Sequence, residues 1–264
     1  MAATGRVDGL CYEVHGEGDE VVVLSSGLGG SGAFFAPQME ALTERFRVVL
    51  YDQRGTGRSD RALPSPYAVT HMAEDISKVI EAVRGPTHVV GHAAGGLAGL
   101  QLALDRPDLL RSLTAINAWS RPDPHIARCF RTRISLLNDS GPEAYVHAQP
   151  LFLYPANWIS EHADRLAEEE VHHIAGFQGR ETLLARINAL LAFDIDDRLP
   201  EITAPVLVSA SADDMLVPSL CSERLARRLP NATLDIVPWG GHAFTATAPD
   251  QFNTTLLAFL GKQA

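Results

Sequence analysis

Short apolar runs recur along the chain, and each ends at a polar or turn-forming residue. Residues 21–24 stop at Ser25-Ser26-Gly27, residues 46–51 at Asp52, residues 88–90 at Gly91 and residues 113–116 at Asn117. Residues 206–210 and 234–237 complete the series. Runs without polar alternation suit strands buried on both faces of a largely parallel sheet. Residues 10–16 instead alternate and end at His15-Gly16, which predicts an edge strand. Between the runs lie segments of helical period. Ile76, Val79, Ile80 and Val83 share one side of 73–83, and 97–103 is a compact apolar helix. Strands alternating with helices predict an α/β architecture, a mostly parallel sheet with helices on both faces. From 119 to 195 the rhythm breaks, leaving amphipathic stretches such as 181–191, with Leu183, Leu184, Ile187, Leu190 and Leu191 on one side. This predicts core segments 1–118 and 196–264 around a helical cap at 119–195.

Charge and cysteine content narrow the function. Among 264 residues, 22 Lys+Arg against 32 Asp+Glu give a net charge of −10. That balance argues against sequence-independent nucleic-acid binding, which needs cations to neutralise phosphates. Cys11, Cys129 and Cys221 are far apart and lack metal-ligand spacing, so they predict reduced thiols and a cytoplasmic setting. No segment approaches the roughly 20 apolar residues of a membrane span. A small-molecule substrate is expected, with no nucleic acid, membrane, metal or cofactor; a homodimer is left open.

The loops after the runs hold the candidate chemistry. Gly27-Leu28-Gly29-Gly30-Ser31-Gly32 follows a strand and precedes Asp52 by 20 residues, the form of a dinucleotide-binding fingerprint. That motif requires a helix opening among its glycines, and Pro37 would fall inside it, deleting a hydrogen bond and clashing with the preceding turn. The fingerprint is rejected. Another assembly uses every loop. Gly91-His92-Ala93-Ala94-Gly95 sits between a strand and a helix, as a G-x-S-x-G elbow does. Asp214 lies four residues before Pro218, and Gly240-Gly241-His242 follows the last strand. With Ser26-Gly27-Leu28-Gly29 as an oxyanion loop and Asp52 to Ser59 as a second glycine loop, the chain resembles the α/β-hydrolases from end to end. The resemblance implies their fold and the order elbow, acid, histidine. It assigns Asp214 and His242 as an acid–histidine pair and the Leu28 and Ala94 amides as an oxyanion hole.

The departure is Ala93, which stands where those enzymes carry the nucleophile and has no atom to attack with. His92 occupies the variable position beside it and is read as packing. Within the superfamily, Tyr51-Asp52-Gln53-Arg54-Gly55-Thr56-Gly57, the Gly91-His92-Ala93 elbow, Ala148 to Trp158, Phe177-Gln178-Gly179 and Arg186 to Leu190 resemble the RutD family of bacterial pyrimidine utilisation. An alanine elbow belongs to that family's pattern. The resemblance implies a late step of uracil breakdown, on carbamate or aminoacrylate.

Carbamate decomposes when its nitrogen is protonated, and His242 could supply that proton with Asp214 orienting the ring. Three alternatives stay open: His242-activated water on the imine of aminoacrylate, a Ser→Ala variant of a serine esterase or amidase, and a silent ligand-binding protein. Bland readings accompany the sharp ones. Asp213 is read as a turn cap, and Asp52 and Arg54 as loop ties. Trp119, Phe152, Tyr154, Trp158 and Phe177 are read as cap core. Arg128, Arg131 and Arg133 could attract an anionic substrate into the cap but are read as a solvated face, and His172-His173 as no metal site.

Overall fold

The computed structural model describes residues 3–263. Eight strands form one sheet: β1 (Ala3–Val7), β2 (Leu10–His15), β3 (Val21–Ser25), β4 (Arg47–Tyr51), β5 (Thr87–His92), β6 (Leu110–Ile116), β7 (Val206–Ser211) and β8 (Ala232–Val237). Their spatial order is β1-β2-β4-β3-β5-β6-β7-β8. The β1–β2 and β2–β4 pairs are antiparallel, and the pairs from β4–β3 to β7–β8 are parallel. One expectation is corrected. Residues 10–15 form an interior strand, because β1 pairs along its outer side with Ala3 opposite Val14 and Val7 opposite Leu10. The polar residues in this run are tolerated because the strand is only partly covered, with Leu10 and Cys11 buried and residues 12–15 half-buried.

Because side chains alternate across a strand, the apolar runs feed two cores. Val21 and Val23 of β3 enter one with Val49, Val89, Leu113 and the helices α2 (Val69–Val83), α3 (Ala94–Asp105) and α9 (Ser219–Arg228). Val22 and Leu24 enter the other with Val48, Val90, Ile116 and the helices α1 (Ala36–Thr43) and α11 (Pro249–Leu260). Pro37 lies in the first turn of α1, where a missing N–H costs nothing. The helix therefore starts after the glycine loop, not within it.

Between β6 and β7 the chain runs through α4 (Pro124–His147), α5 (Gln149–Leu153), α6 (Ala156–Glu161), α7 (Ala163–Ala175) and α8 (Arg180–Ala192), with no strand. A break at Gly141-Pro142 divides α4. Ile126, Phe130, Leu137, Leu183, Ile187 and Leu190 join the first core, so these helices share apolar packing with the sheet. A short helix, α10 (Phe244–Thr247), follows the last loop of the sheet. No described helix is long and apolar enough to cross a membrane.

Candidate active site

Parallel strands deliver their following loops to one edge of a sheet, where open α/β folds place their chemistry. Here β3, β5, β6, β7 and β8 bring five loops together. The elbow after β5 is the tightest. Ala93 has φ 46° and ψ −108°, a left-handed conformation that costs a non-glycine residue roughly 1–3 kcal/mol. Its N–H donates to the Ile116 carbonyl at 2.8 Å and its carbonyl accepts from Leu97 at 2.9 Å. The flanking glycines permit this by close approach. A Cβ on Gly91 would lie 2.3 Å from the Gly95 carbonyl oxygen, and one on Gly95 would lie 2.0 Å from that of Ser25. The elbow thus seats against β3, whose loop contains Leu28. A Cβ placed on Gly27 would stand 3.7 Å from the Ala93 methyl. The loop after β3, expected from sequence to hold the oxyanion amides, is a neighbour of Ala93.

His242 and Asp214 meet directly. The His242 Nδ1–H donates to Asp214 Oδ2 at 2.7 Å, while Asp214 Oδ1 accepts the Leu216 and Val217 amides at 2.7 and 2.8 Å. Both residues are buried, with 3% and 9% of their surface exposed, and Ala93 is 7% exposed. Asp213 points elsewhere. Its Oδ1 accepts from Ser211 Oγ at 2.5 Å and from the Gly241 amide at 2.8 Å, which ties the acid and histidine loops. With Nδ1 occupied, Nε2 is the His242 nitrogen left to meet a ligand.

His92 is packed beside this pair. Its ring lies edge-on to His242 with centroids 4.7 Å apart and against Phe34 at 4.5 Å. Nε2 donates to the His242 carbonyl at 2.9 Å, so Nε2 carries the proton and Nδ1 is bare. Burial, then the His242 charge, pulls the His92 pKa from 6.5 to about 3, and its hydrogen bond only partly opposes this. His92 is therefore neutral at pH 7. Ser25 Oγ is engaged by Tyr51 Oη at 2.8 Å and Gln53 Nε2 at 3.3 Å. Ser26 Oγ is buried without a hydrogen-bond partner among the described residues. Among these residues, neither serine bonds to His242.

Four supporting residues carry no site role in the sequence reading, although Gln53, Gln178 and Arg186 lie in the strings that bear the family resemblance. Asn117, at φ 46°, donates to the His242 carbonyl at 2.6 Å and accepts from the Ser211 amide at 3.4 Å. An Asn immediately after a strand, where αL is tolerated, was the available signal. Gln53 donates to the Ser26 carbonyl at 2.6 Å. Arg186, fully buried on α8, donates to Gln53 Oε1, to the Arg54 carbonyl at 3.1 Å and to the Leu28 carbonyl at 3.3 Å. Burial pulls its pKa below the ordinary arginine value. Gln178 also donates to the Leu28 carbonyl, at 3.2 Å, so two side chains beyond β6 hold the oxyanion loop.

The loop ties behave electrostatically. Burial pushes the Asp52 carboxyl up, but Arg58, at 2.7 Å, with the Arg58 and Gly32 amides, outweighs it and holds the group below its usual range. Arg54 pairs with Asp75 at 2.8 Å. Arg128 and Arg131 are exposed, whereas Arg133 is buried, which corrects the solvated-face reading for that residue. Trp119 and Trp158 are buried; Phe152, Tyr154 and Phe177 are half-buried. No cluster of three or more metal-ligating side chains occurs among the described residues.

Comparison with known proteins gives a consistent picture. Residues 20–143 match the model of the alpha/beta hydrolase fold. A protein of Caulobacter vibrioides named "Putative carbamate hydrolase RutD" is 66% identical over 260 residues, covering 97% of each chain. The protein of that name from Caulobacter segnis is 68% identical, covering 97% of this chain and 98% of the relative. The one from Variovorax paradoxus is 56% identical, covering 96% of each. Among solved structures, the enol-lactonase of Burkholderia xenovorans LB400 superposes with a TM-score of 0.87 at 25% identity, covering 98% of this chain and 100% of its own.

Proposed function

Because the chain belongs to the RutD family of α/β-hydrolases, we propose that it decomposes carbamate to ammonia and carbon dioxide, with His242 as general acid and no covalent intermediate. One observation carries this reading: an intact His242–Asp214 pair stands in a site whose nucleophile position is Ala93. Acyl-enzyme chemistry needs an attacking atom. Carbamate needs only a proton. The cationic His242 Nε2–H transfers its proton to the substrate nitrogen, the C–N bond breaks with its electron pair going to nitrogen, and ammonia and carbon dioxide leave. Neutral imidazole then regains a proton from water.

Asp214 fixes the orientation of the ring, with Oδ1 held by two amides so that Oδ2 faces His242. The Leu28 and Ala94 amides are assigned to one carboxylate oxygen. They should position it rather than hold it tightly, because over-stabilised anion gives up carbon dioxide slowly. Neutral His92 is ruled out as the acid by its low pKa.

The test follows ammonia release from fresh carbamate in wild type and His242→Ala. The proposal expects the acceleration over buffer, ~10²–10⁴-fold for general acid help, to vanish in the variant; unchanged acceleration would sink it. A corrected rate that falls as pH rises fits the acid role. A rate on aminoacrylate that rises with pH would instead favour His242 as a base activating water.

A further inference from the structure

Arg133 is a buried cation for which no carboxylate lies within 4.0 Å among the described residues. Only 4% of it is exposed, Nη2 donates to Tyr145 Oη at 2.6 Å, and Nε is buried without a hydrogen-bond partner. Its guanidinium lies over three rings, at 4.9 Å from Tyr145, 5.5 Å from Phe152 and 5.6 Å from Phe130. Aromatic faces attract a cation, but a buried guanidinium demands hydrogen bonds or an anion to offset its lost hydration. The fork is shaped for a carboxylate.

Its surroundings lead to each catalytic loop. One helical turn before it on α4, Cys129 Sγ contacts the Met215 carbonyl at 3.6 Å, and Met215 follows Asp214. The Asp214 and Arg133 charges both act on the Cys129 thiol. The residue after Phe152, Leu153, accepts the Ala243 amide at 2.9 Å, next to His242. Tyr145 packs edge-on against Phe177, and the following Gln178 holds the Leu28 carbonyl. Short chains of contacts thus join the surroundings of the guanidinium to the acid, histidine and oxyanion loops.

We propose that Arg133 binds the carboxylate of a small anionic substrate from the cap side of the site, adding local positive charge in a protein of net charge −10. The inference deepens the carbamate reading and rests on it for the substrate, but a non-reacting anion tests it separately. Titrate acetate, and acetamide as its uncharged counterpart, into wild type, Arg133→Met and Arg131→Met by calorimetry. Acetate should bind wild type and Arg131→Met alike, acetamide far more weakly. Arg133→Met should weaken acetate roughly 10–100-fold, the worth of a charge-assisted contact, and should raise KM for carbamate more than it lowers kcat.

Equal acetate affinity in wild type and Arg133→Met would overturn the proposal. So would equal affinity of wild type for acetate and acetamide. If Arg133→Met does not fold, wild-type crystals grown in acetate decide the matter: a carboxylate on the Arg133 fork supports it, and a carboxylate elsewhere or none overturns it. Acetate binding through Arg133 without carbamate turnover would remove the proposed chemistry and leave the anion site. Turnover that depends on His242, with acetate indifferent to Arg133, would do the reverse.

Discussion

His92 makes the fold measurably sensitive to mild acid. In the unfolded chain its imidazole takes up a proton near pH 6.5; in the folded protein burial and the nearby His242 lower this to about 3. The group is depressed in the native state, so its contribution to stability is complete above pH 6.5 and is lost as pH falls through the window from 6.5 to 3. Within it the unfolded state holds one more proton, and stability drops by about 1.4 kcal/mol per pH unit. Integrated from pH 7 to pH 5, this one residue removes about 2 kcal/mol. That is a large part of the ~5–15 kcal/mol of a typical domain.

The perturbation is His92→Gln, whose amide nitrogen can reach the His242 carbonyl as Nε2 does but does not titrate. Urea unfolding of both proteins at pH 7 and pH 5 gives a double difference in which other groups, such as the buried His88, cancel. The variant should lose about 2 kcal/mol less than wild type between the two pH values. Equal losses would refute the argument, because they would mean that His92 is protonated as readily in the fold as in the unfolded chain.

Four further outcomes follow from backbone and cap geometry. Ala93→Gly should raise stability by about 1 kcal/mol, since the relief of the φ of 46° outweighs the greater unfolded-state entropy that glycine brings; a lower Tm would contradict the strain. Gly95→Ala, with its methyl 2.0 Å from the Ser25 carbonyl oxygen, should abolish soluble expression or cost more than ~4 kcal/mol. Gly29→Ala, with nothing within 4 Å, should change little by the same unfolding assay. Arg186→Met should destabilise by about 2–4 kcal/mol in chemical unfolding, because the Arg54 carbonyl and Gln53 Oε1 each lose a buried donor. A loss below ~1 kcal/mol would show that burying the charge costs as much as its bonds return.

The parts legible in sequence are those governed by local pattern. Continuous apolar runs identified six of the eight strands because both sheet faces are covered, and the elbow, acid and histidine loops each follow a strand end. What escaped depends on distant partners. Residues 3–7 carry no apolar run, and β1 forms by backbone pairing with β2. Arg133 and Arg186 look in sequence like any helical arginine. Their burial depends on how α4 and α8 pack against the sheet and the oxyanion loop. Asn117 reads as a strand terminator until β7 and the histidine loop arrive on either side of it. Adjacent Asp213 and Asp214 are separated in sequence by the spacing to Pro218, and in the fold one holds the histidine loop and the other the imidazole.

The strained elbow raises a physical question, since its usual product, an exposed nucleophile, is absent. The same turn also performs a second task. Ala93 is the residue before α3, so its left-handed conformation sets where that helix begins, next to the loop that contains Gly27 and Leu28. A helix N-terminus favours negative charge, and this one begins beside Gly27 and the Ala93 methyl. The elbow's strain is therefore offset by backbone bonds to Ile116 and Leu97 whether or not the side chain carries an oxygen. An elbow without a hydroxyl has no covalent chemistry but keeps the helix start, an oriented imidazole and its carboxylate. Those remaining parts are suited to an anionic substrate whose reaction requires a proton and a fixed pose.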